Sequence, residues 1–515
     1  MARALTGAAG ASRRLAAPLL SVVSNVPMAL ERLRHSAARP LGPLLQALVL
    51  GLTLSACGQG AAGAPDGGST PPTPLARNLV LISLDTLRAD SLGCYGYRKG
   101  TSPKIDAFAQ DALVFRDCTS AASSTTPSHM SMFTGLVPPV HRVFNASGDA
   151  KQGAGKVAVL PASIPTLAQR LERAGFLTAA FTDGGYLTRE MQFDRGFREW
   201  QQSPETVDKK VDRVLKWLTE VDRSERVFLF VHTYEIHSPY VPPIEHDLFT
   251  DSEYAGPWRE KVAALRVAED RIGGLHLARG FLPRDPGDAS PADRRFLAGL
   301  YLGGVHFTDA EIGRLLEVLS RPPWSEDTAV ILLSDHGEAF KEHGKFSHGS
   351  VYRAVTHVPL IVRTPGGRQG VVETPVAGVD VLPTALEILG QAAPEVCDGV
   401  SLLGELRPDR PITSYNAQPW TRGGMSVRVD ADKLLRNLKN QPWQRFDLST
   451  DLYERDAQTA EGPRGERLLD LIEHLNERQQ ELSRLLHKQG VSETATLSDE
   501  TLAELQALGY LGGDG

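Results

Sequence analysis

The chain has 515 residues, 41% of them hydrophobic, so it can bury a large core. Its 48 glycines and 34 prolines follow no repeat, which excludes a fibre and suits a protein with many loops. Residues 1–56 hold six Arg and one Glu. Taking that leader's +5 from the formal −7 leaves the rest of the chain at −12, so nothing in the charge points to nucleic acid as a partner.

The leader reads as an export signal. Arg32, Arg34 and Arg39 precede the apolar run Leu41 to Leu54, too short to span a bilayer, and Leu54-Ser55-Ala56-Cys57 follows. That tetrapeptide resembles a bacterial lipobox, in which Cys57 takes lipid and becomes the mature N-terminus. Counted from Met1 the segment is long for a signal, and Met28 offers a second start. A plain secretory signal or a short buried helix is the alternative. Residues 57–76, nearly devoid of large apolar groups, are expected to be a flexible tether. The reading is an exported protein, lipid-anchored to the cell envelope, touching the membrane only through that anchor. Cys94, Cys118 and Cys397 remain. An odd number leaves at least one thiol free and no pair has zinc spacing, so we expect structural cysteines, with one disulfide as the alternative.

Asn78 to Leu84 (NLVLISL) is a continuous apolar run of the kind that makes a strand buried on both faces. Similar runs follow at Phe176 to Phe181, Val227 to Val231, Thr328 to Leu333 and Val358 to Val362. Helical patterns lie between them, for instance at Ile164 to Ala174 and Ala310 to Ser320. The alternation predicts an α/β fold, a large and mostly parallel sheet sandwiched by helices. Beyond residue 375 the texture changes. A helix begins near Val379, short strands and turns fill Arg422 to Asp451, and Glu461 to Gln489 carries leucines at helical spacing. This predicts a smaller C-terminal α+β subdomain, residues 376–515, with the leucine stripe in its core.

In parallel sheets ligands bind beyond the carboxyl ends of the strands. Asp85 follows the first strand, Asp335 and His336 follow the strand ending near Ser334, and His237 lies six residues past Val231, so all four are expected on one edge. Two carboxylates and an imidazole suit one divalent metal ion, with Zn²⁺ or Mn²⁺ favoured by the histidine and Ca²⁺ or Mg²⁺ as alternatives. Thr125 opens a predicted helix. Its hydroxyl would complete the set and, on a metal, become a nucleophile near neutral pH, while the helix start favours an anionic group. Singly these signals are weak, because an Asp after a strand is usually a turn residue and Thr-Thr-Pro-Ser is usually a helix start. Asp335-His336-Gly337-Glu338 at a strand end has fewer structural uses.

The order of these stretches resembles the sulfatase branch of the alkaline phosphatase superfamily, from about Arg77 onward. Thr125-Thr126-Pro127-Ser128-His129, running on to Thr134-Gly135, has the layout of the nucleophile motif Cys-x-Pro-Ser-Arg. Leu84 to Asp90, His237-Ser238-Pro239-Tyr240, Ser334 to Glu338 with Glu342-His343-Gly344, Asp380 to Thr384, Asp398 to Leu402 and Leu508-Gly509-Tyr510-Leu511 match as well. The resemblance implies a catalytic domain over residues 77–375. It implies Asp85, Thr125, Asp335 and His336 as metal ligands, Thr125 as nucleophile, and His237 as proton donor to the leaving group. His348 falls where sulfatases carry a lysine and phosphoethanolamine transferases a histidine.

The departures run in one direction. Thr125 replaces the cysteine that becomes formylglycine, His129 the motif arginine and Thr86 a second aspartate. Thr182 to Leu187 lacks the Lys and His that bind sulfate in the family. Thr233 stands where a second metal site would need an acid, which predicts one ion. The expected activity is cleavage or transfer of a phosphate ester, or less favourably a sulfate ester, through a covalent Thr125 intermediate. Its substrate would be an anionic ester, with a glycan or lipid headgroup as a candidate bearer. The alternative is a non-catalytic relative that binds such groups at the envelope.

Overall fold

The computed structural model describes residues 73–145, 156–267, 281, 289–416, 423–487 and 493–507. The predicted leader, Cys57, nearly all of the tether and the Leu508 to Leu511 stretch lie outside them. Of the tether's last residues, Leu75 and Ala76 both donate their amides to the Ile388 carbonyl, at 2.8 and 3.1 Å. No helix among the described residues is long and apolar enough to cross a membrane.

Eight strands form the central sheet: β1 (Asn78–Leu84), β2 (Leu113–Phe115), β3 (Leu177–Thr182), β4 (Glu199–Gln202), β5 (Val227–Thr233), β6 (Thr328–Leu333), β7 (Leu360–Arg363) and β8 (Gly370–Val372). Their spatial order is β8-β2-β7-β6-β1-β5-β3-β4. The block β6-β1-β5-β3-β4 is parallel throughout, with Ser83 opposite Leu333 and Leu84 opposite Thr233. Every residue of β1, β5 and β6 is buried, which is why these runs show no polar alternation. The run Val358 to Val362 departs from expectation. Pro359, with no amide to give, splits it into a two-residue strand, His357–Val358, and β7. β7 then pairs antiparallel with both β6 and β2.

Successive residues of β1 point to opposite faces. Leu79 and Leu81 join the core beneath helices α2 (Thr125–Thr134), α3 (Leu167–Arg173), α6 (Val381–Ile388) and α7 (Pro463–Leu486). Val80 and Ile82 join the core beneath α1 (Pro103–Ala109), α4 (Val207–Glu220) and α5 (Pro291–Leu319). At about 25 cal/mol per Å² of apolar surface removed from water, both faces contribute to stability. A second sheet, β9 (Ile412–Tyr415) to β13 (Gln458–Thr459) through β10 (Gly423–Val429), β11 (Asp432–Leu438) and β12 (Gln444–Asp447), is antiparallel in that order. Its Val427 and Leu434 share the first of these cores, as do Leu468 and Ile472 of α7. Leu469, Leu471 and Leu475 pack against it, so the leucine stripe is core.

α5 starts 19 residues before the predicted Ala310. Its first half is apolar on most sides and contains Gly299 and Gly303, which mask a helical signal. These glycines face a backbone that passes close by. A Cβ on Gly299 would lie 2.6 Å from the Phe249 carbonyl, and one on Gly303 2.8 Å from that of His246. The loop after β5 therefore rests directly on α5. Cys94, Cys118 and Cys397 are all free thiols, so the disulfide alternative is not realised among the described residues.

Candidate active site

Because β1, β5, β6 and β3 are parallel, their carboxyl ends deliver Asp85, Tyr234 with His237, Asp335 with His336, and Asp183 to one edge of the sheet. Asp85 is locked in register by its backbone N–H, which donates to the Thr233 carbonyl at 3.1 Å. α2 starts at the same edge and brings Thr125, whose position after the extended Ser124 makes it the first helical residue. At the other end of α2, Gly135 adopts φ +68°, the left-handed turn that lets the chain leave the helix.

The Thr125 hydroxyl donates to Asp85 Oδ2 at 3.2 Å and lies 3.4 Å from His336 Nε2. Asp85, Asp335 and His336 each offer a ligand atom, all within 4.8 Å of one another. All four residues are completely buried. Among the described residues, Asp85 Oδ1 and Asp335 Oδ2 have no hydrogen-bond partner. Burial, and then the Asp335 carboxylate beside it, push the Asp85 carboxyl well above the usual range. Burial opposes ionisation of Asp335 as well, but His336 and His129 outweigh it and hold that carboxyl low. Two carboxylates in one dry site with orphaned oxygens are costly without a cation. The donor set, two carboxylates, a neutral imidazole and a hydroxyl, fits one divalent ion. The His336 ring is oriented by its Nδ1, which donates to the Gly337 carbonyl at 3.0 Å and leaves Nε2 facing the cluster.

His237 and His348 stand over this cluster. The His348 ring centroid is 4.5 Å from that of His336 and 5.2 Å from that of His237. Burial lowers both pKa values to about 4, with His348 adding to the effect on His237. Buried Glu338 approaches His348 Nδ1 at 3.3 Å. The structure thus gathers all six residues singled out from sequence, Asp85, Thr125, His237, Asp335, His336 and His348.

Other residues of the site were not assigned from sequence. His232, inside β5, places Nε2 3.4 Å from Asp85 Oδ2. His129 is buried, with Nδ1 2.9 Å from the Thr125 carbonyl and Nε2 2.8 Å from Ser83 Oγ. It braces the first turn of α2 and is 3.6 Å from Asp335 Oδ2. Ser128 donates to the Asp335 carbonyl at 2.7 Å, tying α2 to the end of β6. The only sequence signal for His232 was a histidine interrupting the end of an apolar strand, a pattern shared by many core residues.

A family model described as Sulfatase matches residues 77–391, more than half of the chain. The chain belongs to the sulfatase family. It is 25% identical over 442 residues to the uncharacterized sulfatase YidJ of Escherichia coli, covering 74% of this chain and 85% of that protein. It is also 25% identical over 426 residues to the choline-sulfatase of Rhizobium meliloti, covering 71% and 78%. Two solved structures share the fold, each at TM-score 0.62. One, solved with D-glucosamine-2-N,6-O-disulfate, is 18% identical over 80% of this chain and 98% of its own. The other is the phosphonate monoester hydrolase of Silicibacter pomeroyi, 21% identical over 82% and 100%. The fold class and the family read from sequence are those found, and the chain is an ester hydrolase of this superfamily.

Proposed function

We propose that the protein cleaves or transfers phosphate esters in preference to sulfate esters, through a covalent intermediate on Thr125. The observation that carries this reading is the Thr125 oxygen, buried at a helix start between Asp85 and His336. A divalent cation held by Asp85, Asp335, His336 and the Thr125 oxygen would neutralise charge on the incoming ester and on that oxygen.

The rest follows from the chain's own groups. The Thr125 hydroxyl passes its proton to Asp85 Oδ2, 3.2 Å away, and its oxygen attacks phosphorus, the new bond forming as the ester's P–O bond breaks. The backbone amides opening α2 face the anionic group. His237 and His348 are neutral in the resting site, since burial holds them near about 4. The negative charge of a bound ester favours their protonation, and the departing oxygen takes that proton. Water, or a second alcohol, then attacks the phosphorus and gives a proton to the imidazole, while the Thr125 O–P bond breaks and the threonine oxygen takes its proton back from Asp85. A hydroxyl cannot eliminate sulfate as a hydrated aldehyde does, which is why the phosphoester is favoured.

The test is Thr125→Ala, assayed on a bis-aryl phosphate and an aryl sulfate at unchanged metal content, together with mass spectrometry for a phosphorylated or sulfated Thr125. Turnover lost in the variant and a trapped adduct in the parent are expected; equal rates would exclude the mechanism. A folded, metal-loaded protein silent on both ester classes would favour the non-catalytic alternative. The leader supports a further proposal, that Cys57 carries lipid and anchors the enzyme to the envelope. Cys57→Ser should release it from membranes, and an unchanged membrane fraction would remove the anchor.

A further inference from the structure

Three imidazoles of the site have Nδ1 engaged, and one of them is held differently. Nδ1 of His336 donates to the Gly337 carbonyl at 3.0 Å, and Nδ1 of His237 to the Ser238 carbonyl at 2.7 Å. His348 Nδ1 lies 3.3 Å from Glu338 Oε1 and 3.2 Å from the Ser347 hydroxyl. A side-chain carboxylate therefore stands behind this ring, where the other two have a backbone carbonyl.

The fold prepares that contact. The short antiparallel strands Ala339–Phe340 and Phe346–Ser347 pair Phe346 with Phe340 and Ser347 with Ala339, so Glu338 and His348 come next at the open end of the hairpin. Glu338 is wholly buried, and its backbone is held from both sides. The Gly337 amide donates to the Val355 carbonyl at 2.6 Å, and Nη1 of Arg88, three residues past Asp85, donates to the Glu338 carbonyl at 2.9 Å. The same Nη1 reaches Glu342 Oε1 at 2.7 Å, so one guanidinium ties the hairpin to the loop that carries Asp85. Ser347 stands at φ +64°, a conformation unfavourable for a residue with a Cβ, which persists where the surroundings fix it. A carboxylate only accepts, so its bond puts the imidazole proton on Nδ1 and makes Nε2 the basic nitrogen of the neutral ring.

We propose that Glu338 is the positioning residue of His348: its carboxylate accepts from Nδ1–H, fixes the ring and its tautomer, and so sets Nε2 to serve the departing oxygen of the ester. The inference rests on the phosphoester reading above. In that step the breaking P–O bond leaves its electron pair on the departing oxygen, which takes the proton from Nε2, while the proton on Nδ1 stays where Glu338 holds it. An acidic phenol departs without that help and a weakly acidic one needs it, so the loss of Glu338 should grow as the leaving group becomes poorer.

The experiment measures kcat and KM of the parent, Glu338→Gln, His348→Ala and the double variant, all full-length and loaded with the same metal, on aryl phosphate diesters of graded leaving-group acidity. Glutamine keeps the shape, removes the charge and can turn its NH₂ to Nδ1, which imposes the opposite tautomer. We expect Glu338→Gln to lower kcat about 10- to 100-fold on the poorest leaving group and less than about threefold on the best, with KM within about threefold, and to cost nothing further once His348 is alanine. An equal loss across the series, losses that multiply in the double variant, or a His348→Ala enzyme with parental kcat on the poorest leaving group would overturn the inference. Thr125→Ala, run beside them, separates the two levels: if it is inactive when the inference fails, the covalent reading stands, and if it is as active as the parent, both fall. Should Glu338→Gln unfold or lose its ion, ¹⁵N spectra of the histidine-labelled parent decide, with the His348 signals assigned by their loss in His348→Ala. A neutral ring protonated on Nδ1 supports the inference, and one protonated on Nε2 overturns it.

Discussion

Lys210→Met tests whether the support beneath the site is a buried ion pair. Lys210 is fully buried and Asp183 nearly so, and the methionine leaves the Asp183 carboxylate with the Tyr234 amide as its remaining short contact. Removing one partner of a buried pair costs about 3–5 kcal/mol, because the other charge stays desolvated. With an unfolding entropy of about 2.1 cal/mol/K per residue, a folded unit of this size loses roughly 3–5 °C in thermal midpoint. Asp183→Asn/Lys210→Met removes both charges and keeps an oxygen for the Tyr234 amide, so it should recover to within about 1 °C of the parent. Calorimetry on the two single variants and the double variant gives the coupling directly. Additive shifts, or a Lys210→Met midpoint within about 1 °C of the parent, would refute the reasoning.

Three other outcomes are expected. Chelation should lower the thermal midpoint of the parent, by the equivalent of about 2.7 kcal/mol where the free ion stood at a hundred times its Kd, while Asp335→Asn should not respond; equal shifts in both would place the ion elsewhere. His141 is buried, its Nδ1 accepting the Val143 amide and its Nε2 facing Ser131 Oγ, and burial lowers its pKa to about 3. The unfolded chain then binds a proton that the folded one refuses, so stability is held above pH 6.5 and lost as pH falls towards 3. The decline is about 1.4 kcal/mol per unit, and His141→Gln should flatten urea midpoints between pH 6.5 and 5. Gly135→Ala places a Cβ 2.6 Å from Cys397 Sγ at φ +68°; we expect a loss of about 1–3 kcal/mol in denaturant titrations, and an unchanged midpoint would mean that the helix carrying Thr125 ends differently.

The central strands were legible because burial on both faces removes polar alternation, so NLVLISL and TAVILL each mark a strand end to end. Asp85, His237, Asp335 and His336 were legible because parallel strands send their carboxyl ends to one edge, and because Asp-His-Gly-Glu has few other uses there, whereas Thr125 was read from its helix start and motif and His348 from the family resemblance alone. β7's direction was not legible, since an apolar run looks the same read either way and only its neighbours β6 and β2 reverse it. The first half of α5 was hidden by glycines whose purpose is a contact with a loop some fifty residues earlier in the chain.

By itself the sequence determined which segments must be buried and which side chains carry charge, hydroxyl or imidazole, since these are properties of local composition and order. The tertiary structure alone decided what those side chains meet. His232 reaches Asp85 across 147 positions of chain, and Lys210 finds Asp183. Such pairings depend on strand order and register, which join residues by distance in space, and no spacing along the chain encodes them.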